Sequence, residues 1–150
     1  MTEPDGPAPA TDTLVMTEDF PHVPVSRLFA RFVEPAELTR WWPESAQVEP
    51  RKGGAYCLAW PSLKWMLRGT YARFEAGRAL EFSWAWDHEP DLPTRVVTLE
   101  FAEHEGGSRL TLTQGTYGPQ EKEQEDRKSH RLGWTYFFSK LRRLDTPDDE

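Results

Sequence analysis

Cysteine and long apolar runs are nearly missing from this sequence. Cys57 is the only cysteine among the 150 residues, so no disulfide can form within the chain, and such a composition is typical of reducing compartments. No stretch approaches the roughly 20 apolar residues that a membrane-spanning helix needs. The first residues also lack the basic and apolar parts of a signal peptide. We therefore expect a cytoplasmic protein without a membrane span.

Acidic residues outnumber basic ones by 25 to 18, and metal-ligand patterns are scarce. The net charge of -7 and the isoelectric point near 5.2 disfavour contact with phosphate backbones, so no nucleic-acid partner is expected. The four histidines are scattered, and no Cys or His pair has the spacing of metal ligands. Nucleophile-elbow, phosphate-loop and dinucleotide-binding motifs are missing too. These absences predict no metal site, no cofactor and no catalytic set.

The sequence is rich in aromatic side chains. Seven Trp, eight Phe and four Tyr supply a large apolar area per residue, and a chain of 150 residues suits one domain. Residues 1–12 are rich in Pro, Ala, Thr and acidic side chains, which predicts a disordered tail. We therefore expect one folded domain at 13–144, followed by an acidic tail at 145–150.

Periodicity predicts one strand, two short helices and then six more strands. The first strand covers 13–20. An apolar stripe of Val25, Leu28, Phe29 and Phe32 indicates a short helix, and a second short helix covers 36–42. From residue 46 onward, alternating segments are separated by turn signals and indicate an antiparallel meander. The six strand candidates cover 46–50, 55–60, 65–74, 79–86, 94–104 and 108–115.

The last predicted element is a long helix with acidic residues from Glu121 to Asp126 at its start and two unusual residues within 128–144. At about 100° per residue, its main apolar side chains project within about 40° of His130, namely Trp134, Phe137, Leu141 and Leu144. Gly133 in its interior costs about 1 kcal/mol of helix propensity, which either the close passage of a strand or room for a ligand would explain. We predict that this helix crosses the concave face of the sheet and covers a cavity.

The order of these elements and a set of short motifs resemble the START-like (Bet v 1-like, SRPBCC) superfamily. Within it, the chain is most similar to the family related to the C-terminal domain of the Hsp90 ATPase activator. The motifs are Phe29 and Phe32, Pro35-x-x-Leu38-x-x-Trp41-Trp42, Gly53-Gly54, Gly69, Leu80-x-Phe82-x-Trp84, Leu110-x-Leu112-Thr113 and His130-x-x-Gly133-Trp134. The resemblance implies an α+β helix-grip fold, in which a curved antiparallel sheet of six to seven strands wraps a long C-terminal helix and leaves a hydrophobic cavity.

Aromatic residues and one histidine are the candidate ligand-binding residues. An apolar pocket often has aromatic walls, yet aromatic residues also dominate ordinary cores, so both interpretations stay open. His130 could bind a ligand's polar head or act as an acid or base. Alternatively, it is a neutral core histidine bonded to backbone or to a tyrosine. The predicted ligand-binding residues are Trp41, Trp42, Tyr56, Trp60, Tyr71, Trp84, Trp86, His130, Trp134 and Phe137.

Three functions fit these observations. The first is a binding protein that holds a hydrophobic or aromatic small molecule beneath its C-terminal helix. The second, which the resemblance suggests, is an enzyme of the polyketide cyclase or dehydratase kind that uses the same cavity with His130 as acid or base. The third is a module that contacts an Hsp90-type chaperone and activates its ATPase. This last alternative predicts a functional outer surface and a filled interior.

Overall fold

The computed structural model describes residues 12–144. The predicted tail at 145–150, and all of the predicted tail at 1–12 except Asp12, lie outside these residues. The strands are β1 (Thr13–Phe20), β2 (Ser45–Val48), β3 (Ala55–Trp60), β4 (Trp65–Glu75), β5 (Ala79–Trp86), β6 (Arg95–His104) and β7 (Gly107–Gly115). The helices are α1 (Val25–Val33), α2 (Pro35–Leu38) and α3 (Glu121–Arg143), and a 3-10 helix at Pro61–Leu63 joins β3 to β4.

The strands form one antiparallel sheet in the order β1-β7-β6-β5-β4-β3-β2. From β2 to β7, each strand pairs with the next strand along the chain. The first strand pairs with the last along its whole length, from Thr13 opposite Gly115 to Phe20 opposite Ser108. The predicted meander and the α+β helix-grip fold are confirmed.

The inner face of the sheet is fixed by which side chains are buried. Tyr56, Leu58 and Trp60 of β3 are buried, and so are Leu67 and Tyr71 of β4. Both sets therefore turn toward the core, although alternation in the sequence does not show which face of these two strands is the inner one. Burial of alternate residues is the pattern of a sheet with one covered face.

Strand β4 departs from regular pairing in its middle. Its register with β5 shifts between Tyr71 and Arg73, and a shift of this kind bends the strand. A Cβ atom at Gly69 would overlap the carbonyl oxygen of Ser83. The close approach of β5 therefore explains the missing side chain at Gly69.

The first two helices pack aromatic side chains onto the sheet. Leu28, Phe29 and Phe32 of α1 are buried, as their stripe predicts. The second helix ends at Leu38, four residues before the predicted end at 42, and Trp41 and Trp42 follow in a turn. Pro43 keeps the helix from extending through Trp42, since the residue before a proline disfavours helical geometry.

Helix α3 lies across the inner face of the sheet. It begins at Glu121, so the acidic residues form its first turns as predicted, where the helix dipole favours them. Its buried side chains are Trp134, Phe138 and Leu141, whereas the predicted Phe137 is half-buried. None of the helices within residues 12–144 is long and apolar enough to cross a membrane.

Candidate ligand-binding cleft

A cleft of about 670 Å³ lies between one side of α3 and the adjoining parts of the sheet. The turn after α2, the end of β3, the start of β4, strand β5 with its following loop, and α3 all contribute to its wall. At one side it opens to solvent, where Trp65 and Tyr136, with exposed fractions of 42% and 59%, line it. The space is therefore an open cleft, which differs from the enclosed cavity predicted from the helix.

All seven tryptophans of the sequence line this cleft. They come from five separate segments of the chain, and Trp42 lies among them. Its ring centroid is 5.0 Å from that of Trp134 and 6.1 Å from that of Trp84. The rest of the core is built mainly from Leu, Phe and Val. Tryptophan is thus concentrated at the cleft instead of being spread through the interior.

Eight of the ten predicted ligand-binding residues line the cleft, namely Trp41, Trp42, Trp60, Trp84, Trp86, His130, Trp134 and Phe137. Tyr56 and Tyr71 do not. They line a separate void of about 10 Å³, which is too small for anything beyond a water molecule. Burial raises the pKa of both phenols, so they stay protonated. Ligand binding by any of these residues stays a prediction.

The indole N–H groups of the cleft wall differ in whether they have a hydrogen-bond acceptor. Trp41 donates to the Arg31 carbonyl at 2.9 Å, and Trp134 donates to Gln114 Oε1 at 2.8 Å. Trp60 donates to the Trp42 carbonyl at 3.2 Å. Trp84 Nε1 is buried and has no hydrogen-bond partner among residues 12–144. A buried donor without a partner is unfavourable, so a hydrogen bond from Trp84 Nε1 to an acceptor would be stabilising.

His130 lies in the cleft wall between a phenol and a carboxylate. Its Nδ1 is 2.7 Å from the Tyr117 hydroxyl, and its Nε2 is 3.8 Å from Asp126 Oδ1, beyond direct hydrogen-bond distance. Burial lowers the pKa of His130, and the attraction of Asp126 only partly offsets this, so the ring is neutral at neutral pH. Burial raises the pKa of Tyr117. We assign Tyr117 as the donor to Nδ1, which places the ring proton on Nε2, on the side of Asp126.

Arg95 holds the groups around His130 in place. Its side chain is 2% exposed, 2.7 Å from Asp126 Oδ2 and 3.1 Å from Glu123 Oε1. Its guanidinium also lies 4.2 Å above the Tyr117 ring. This network joins the start of β6 to the first turns of α3, and it fixes both neighbours of the histidine.

Gly133 also lines the cleft, and the structure decides between the two explanations for it. A Cβ atom built there meets no atom within 4 Å. The explanation by close passage of a strand is therefore wrong. Open space beside the helix remains, and that space is the cleft.

Several residues of the site lie outside the set of predicted ligand-binding residues. Trp65 and His88 stack at the mouth with ring centroids 4.9 Å apart, but both lie at the ends of strands, where alternation carries little information. Tyr117, Asp126 and Arg95 are separated along the chain and meet only through the pairing of β6 and β7 under α3. Within the described part of the chain, no group of three His, Cys, Asp or Glu side chains could hold a metal ion.

Comparison with known proteins identifies the family. The family model described as activator of Hsp90 ATPase homolog 1-like protein matches residues 22–144. A search of curated proteins found no match.

Solved structures share the fold at low sequence identity. Protein MLL2253 from Mesorhizobium loti is 22% identical with a TM-score of 0.78, over 91% of this chain and 98% of that one. Protein CV1439 from Chromobacterium violaceum is 25% identical with a TM-score of 0.73, and the match covers 93% of this chain and 100% of that one. CalU16 from Micromonospora echinospora is 21% identical with a TM-score of 0.73, and the match covers 90% of this chain and 76% of that one. The chain belongs to the activator of Hsp90 ATPase homolog 1-like family.

Proposed function

We propose that this protein binds an apolar, aromatic small molecule in the tryptophan-lined cleft. The observation that carries the proposal is that every tryptophan of the chain lies on this one cleft. Ligand sites are typically clefts of about 300–1,000 Å³ with aromatic walls and a few polar groups. The volume of about 670 Å³ falls within that range.

Two polar groups in the wall supply orientation. The unpartnered Nε1 of Trp84 is available to donate to a ligand acceptor. His130 is neutral, and its Nε2–H is a second donor on the same wall, since the two rings lie with centroids 5.5 Å apart. A ligand with a carbonyl or hydroxyl oxygen near this end would satisfy donors that are otherwise costly to bury.

The proposal is tested with N-phenyl-1-naphthylamine, a neutral aromatic probe that fluoresces in apolar surroundings. Because all seven tryptophans line the cleft, a probe bound there accepts excitation energy from them at short range. We expect saturable energy transfer at one probe per chain. Absence of saturable binding would overturn the proposal.

A matched pair of variants locates the binding. Gly133→Leu places a side chain in the open space of the cleft and is expected to weaken probe binding by about tenfold or more. Thr135→Leu places the same leucine side chain on the same helix at an exposed position outside the cleft and should leave binding unchanged. Equal binding by both variants would show that the probe binds elsewhere.

The placement of His130 favours a second candidate, an enzyme of the polyketide cyclase or dehydratase kind. Such an enzyme needs a titratable group in the cleft with a second one in reach, and His130 lies 2.7 Å from Tyr117 and 3.8 Å from Asp126. The neutral imidazole N–H would polarise a substrate carbonyl, and the Asp126 carboxylate would accept the proton from the adjacent carbon.

The enzyme candidate is tested by deuterium exchange into 2-tetralone, an aromatic ketone that enolises readily. The candidate predicts that the protein accelerates exchange in D₂O and that His130→Gln abolishes the acceleration while the ketone still binds. Exchange at the buffer rate would exclude this candidate and leave the binding function untouched. A chaperone partner, to which the family name points, would become the favoured alternative if neither probe bound.

A further inference from the structure

We propose that the ligand of the cleft is an organic cation, with a protonated amine or quaternary ammonium group attached to an apolar or aromatic body. This inference rests on the proposed function and adds the charge of the ligand. The aromatic rings that line the cleft and the charged side chains around them support it.

The rings that line the cleft favour a positive charge. A cation over an aromatic face is attracted by the quadrupole of the ring, and tryptophan gives the strongest attraction. One wall of the cleft already holds a cation in this way. Lys140 Nζ lies 5.7 Å from the ring centroids of both Tyr136 and Phe137, and all three residues line the cleft.

The charged side chains of the lining also favour a cation. Four lining residues carry a formal charge at neutral pH: Glu44, Glu89, Asp126 and Lys140. Asp126 pairs with Arg95 at 2.7 Å, so the two charges of this ion pair cancel. The remaining charged groups of the lining are the carboxylates of Glu44 and Glu89 and the ammonium group of Lys140. Glu44 stays ionised because the Ser62 hydroxyl and backbone N–H, which donate to it, lower its pKa.

The histidine in the wall does not oppose a cation. Burial lowers the pKa of His130, so the ring carries no charge at neutral pH. The cleft thus combines many aromatic rings, a small excess of negative charge and a neutral imidazole. The two carboxylates and the quadrupoles of the rings disfavour an anionic ligand.

Two probes of the same size and shape test this inference: 3-(trimethylammonio)phenol, which is a cation, and 3-tert-butylphenol, which is neutral. Each is titrated as a competitor against bound N-phenyl-1-naphthylamine. The cation should bind about tenfold tighter than its neutral counterpart, as expected for cation–π contacts in a partly desolvated site. Equal affinities, or a preference for the neutral phenol, would overturn the inference.

Charge variants check the electrostatic part. Glu89→Gln removes a carboxylate from the cleft mouth and should lower the preference for the cation about threefold, an effect expected for a charge in partly exposed surroundings. Glu103→Gln makes the same change in net charge near the far end of β6, outside the cleft lining, and should change nothing. An equal effect of both variants would assign the preference to the overall charge of -7 and contradict a cation site.

The two proposals fail in different ways. Binding of both phenols with equal affinity would contradict only the cationic ligand, because the cleft would still bind small molecules. Failure of the naphthylamine and both phenols to bind would contradict the binding function itself.

Discussion

Replacing Gly133 with alanine should stabilise the protein, although Gly133 lies within its longest helix and beside its core. A Cβ atom there meets no atom within 4 Å, so the added methyl group causes no clash. In a helix interior, alanine is favoured over glycine by about 0.8–1.0 kcal/mol, because glycine loses more conformational freedom on folding. We therefore expect the free energy of unfolding to rise by about 1 kcal/mol.

The assay is unfolding by urea and by heat, followed by circular dichroism. For a domain of this size, about 1 kcal/mol corresponds to a rise in Tm of about 2–4 °C. Gly69→Ala is the matched contrast, since a Cβ there would overlap the Ser83 carbonyl, and it should lower Tm strongly. A loss of stability in Gly133→Ala would mean that the space beside α3 is filled, and the cleft geometry described above would be wrong.

Two further predictions concern the polar network around the cleft. Burial lowers the pKa of His130 below 6.5, so below about pH 6.5 the unfolded chain takes up a proton that the folded protein does not. The free energy of unfolding should therefore fall as the pH drops toward 5. His130→Gln should flatten this part of the pH profile, and parallel profiles for the variant and the unaltered protein would refute the assignment. Arg95→Met should lower the free energy of unfolding by about 3 kcal/mol in urea titrations, because Glu123 and Asp126 lose their partner. A change under about 1 kcal/mol would contradict a structural role for these ion pairs.

Much of the fold could be predicted from the sequence because its periodic signals are long and consistent. The alternation in β5 and the apolar stripe of α1 each identify one buried face, and these faces are confirmed. The ends of elements were less predictable. Trp41 and Trp42 continue a helical pattern, but Pro43 disfavours helical geometry at the residue before it. The local sequence does not show whether the helical spacing or the proline decides where the helix ends.

The site was predictable only in its apolar part. Strand alternation and helix periodicity identify large aromatic residues at inward positions. For this reason, eight of the ten predicted residues do line the cleft. Polar partners could not be found this way. Arg95 contacts Asp126 across 31 positions of sequence, and no periodic pattern indicates which carboxylate a buried arginine will meet.

Native mass spectrometry of the protein purified directly from cells tests the central claim most directly. We predict one small molecule bound per chain in the unaltered protein and in Thr135→Leu, and none in Gly133→Leu. The mass of the bare chain in all three, or the same bound mass in all three, would contradict a ligand in the tryptophan-lined cleft.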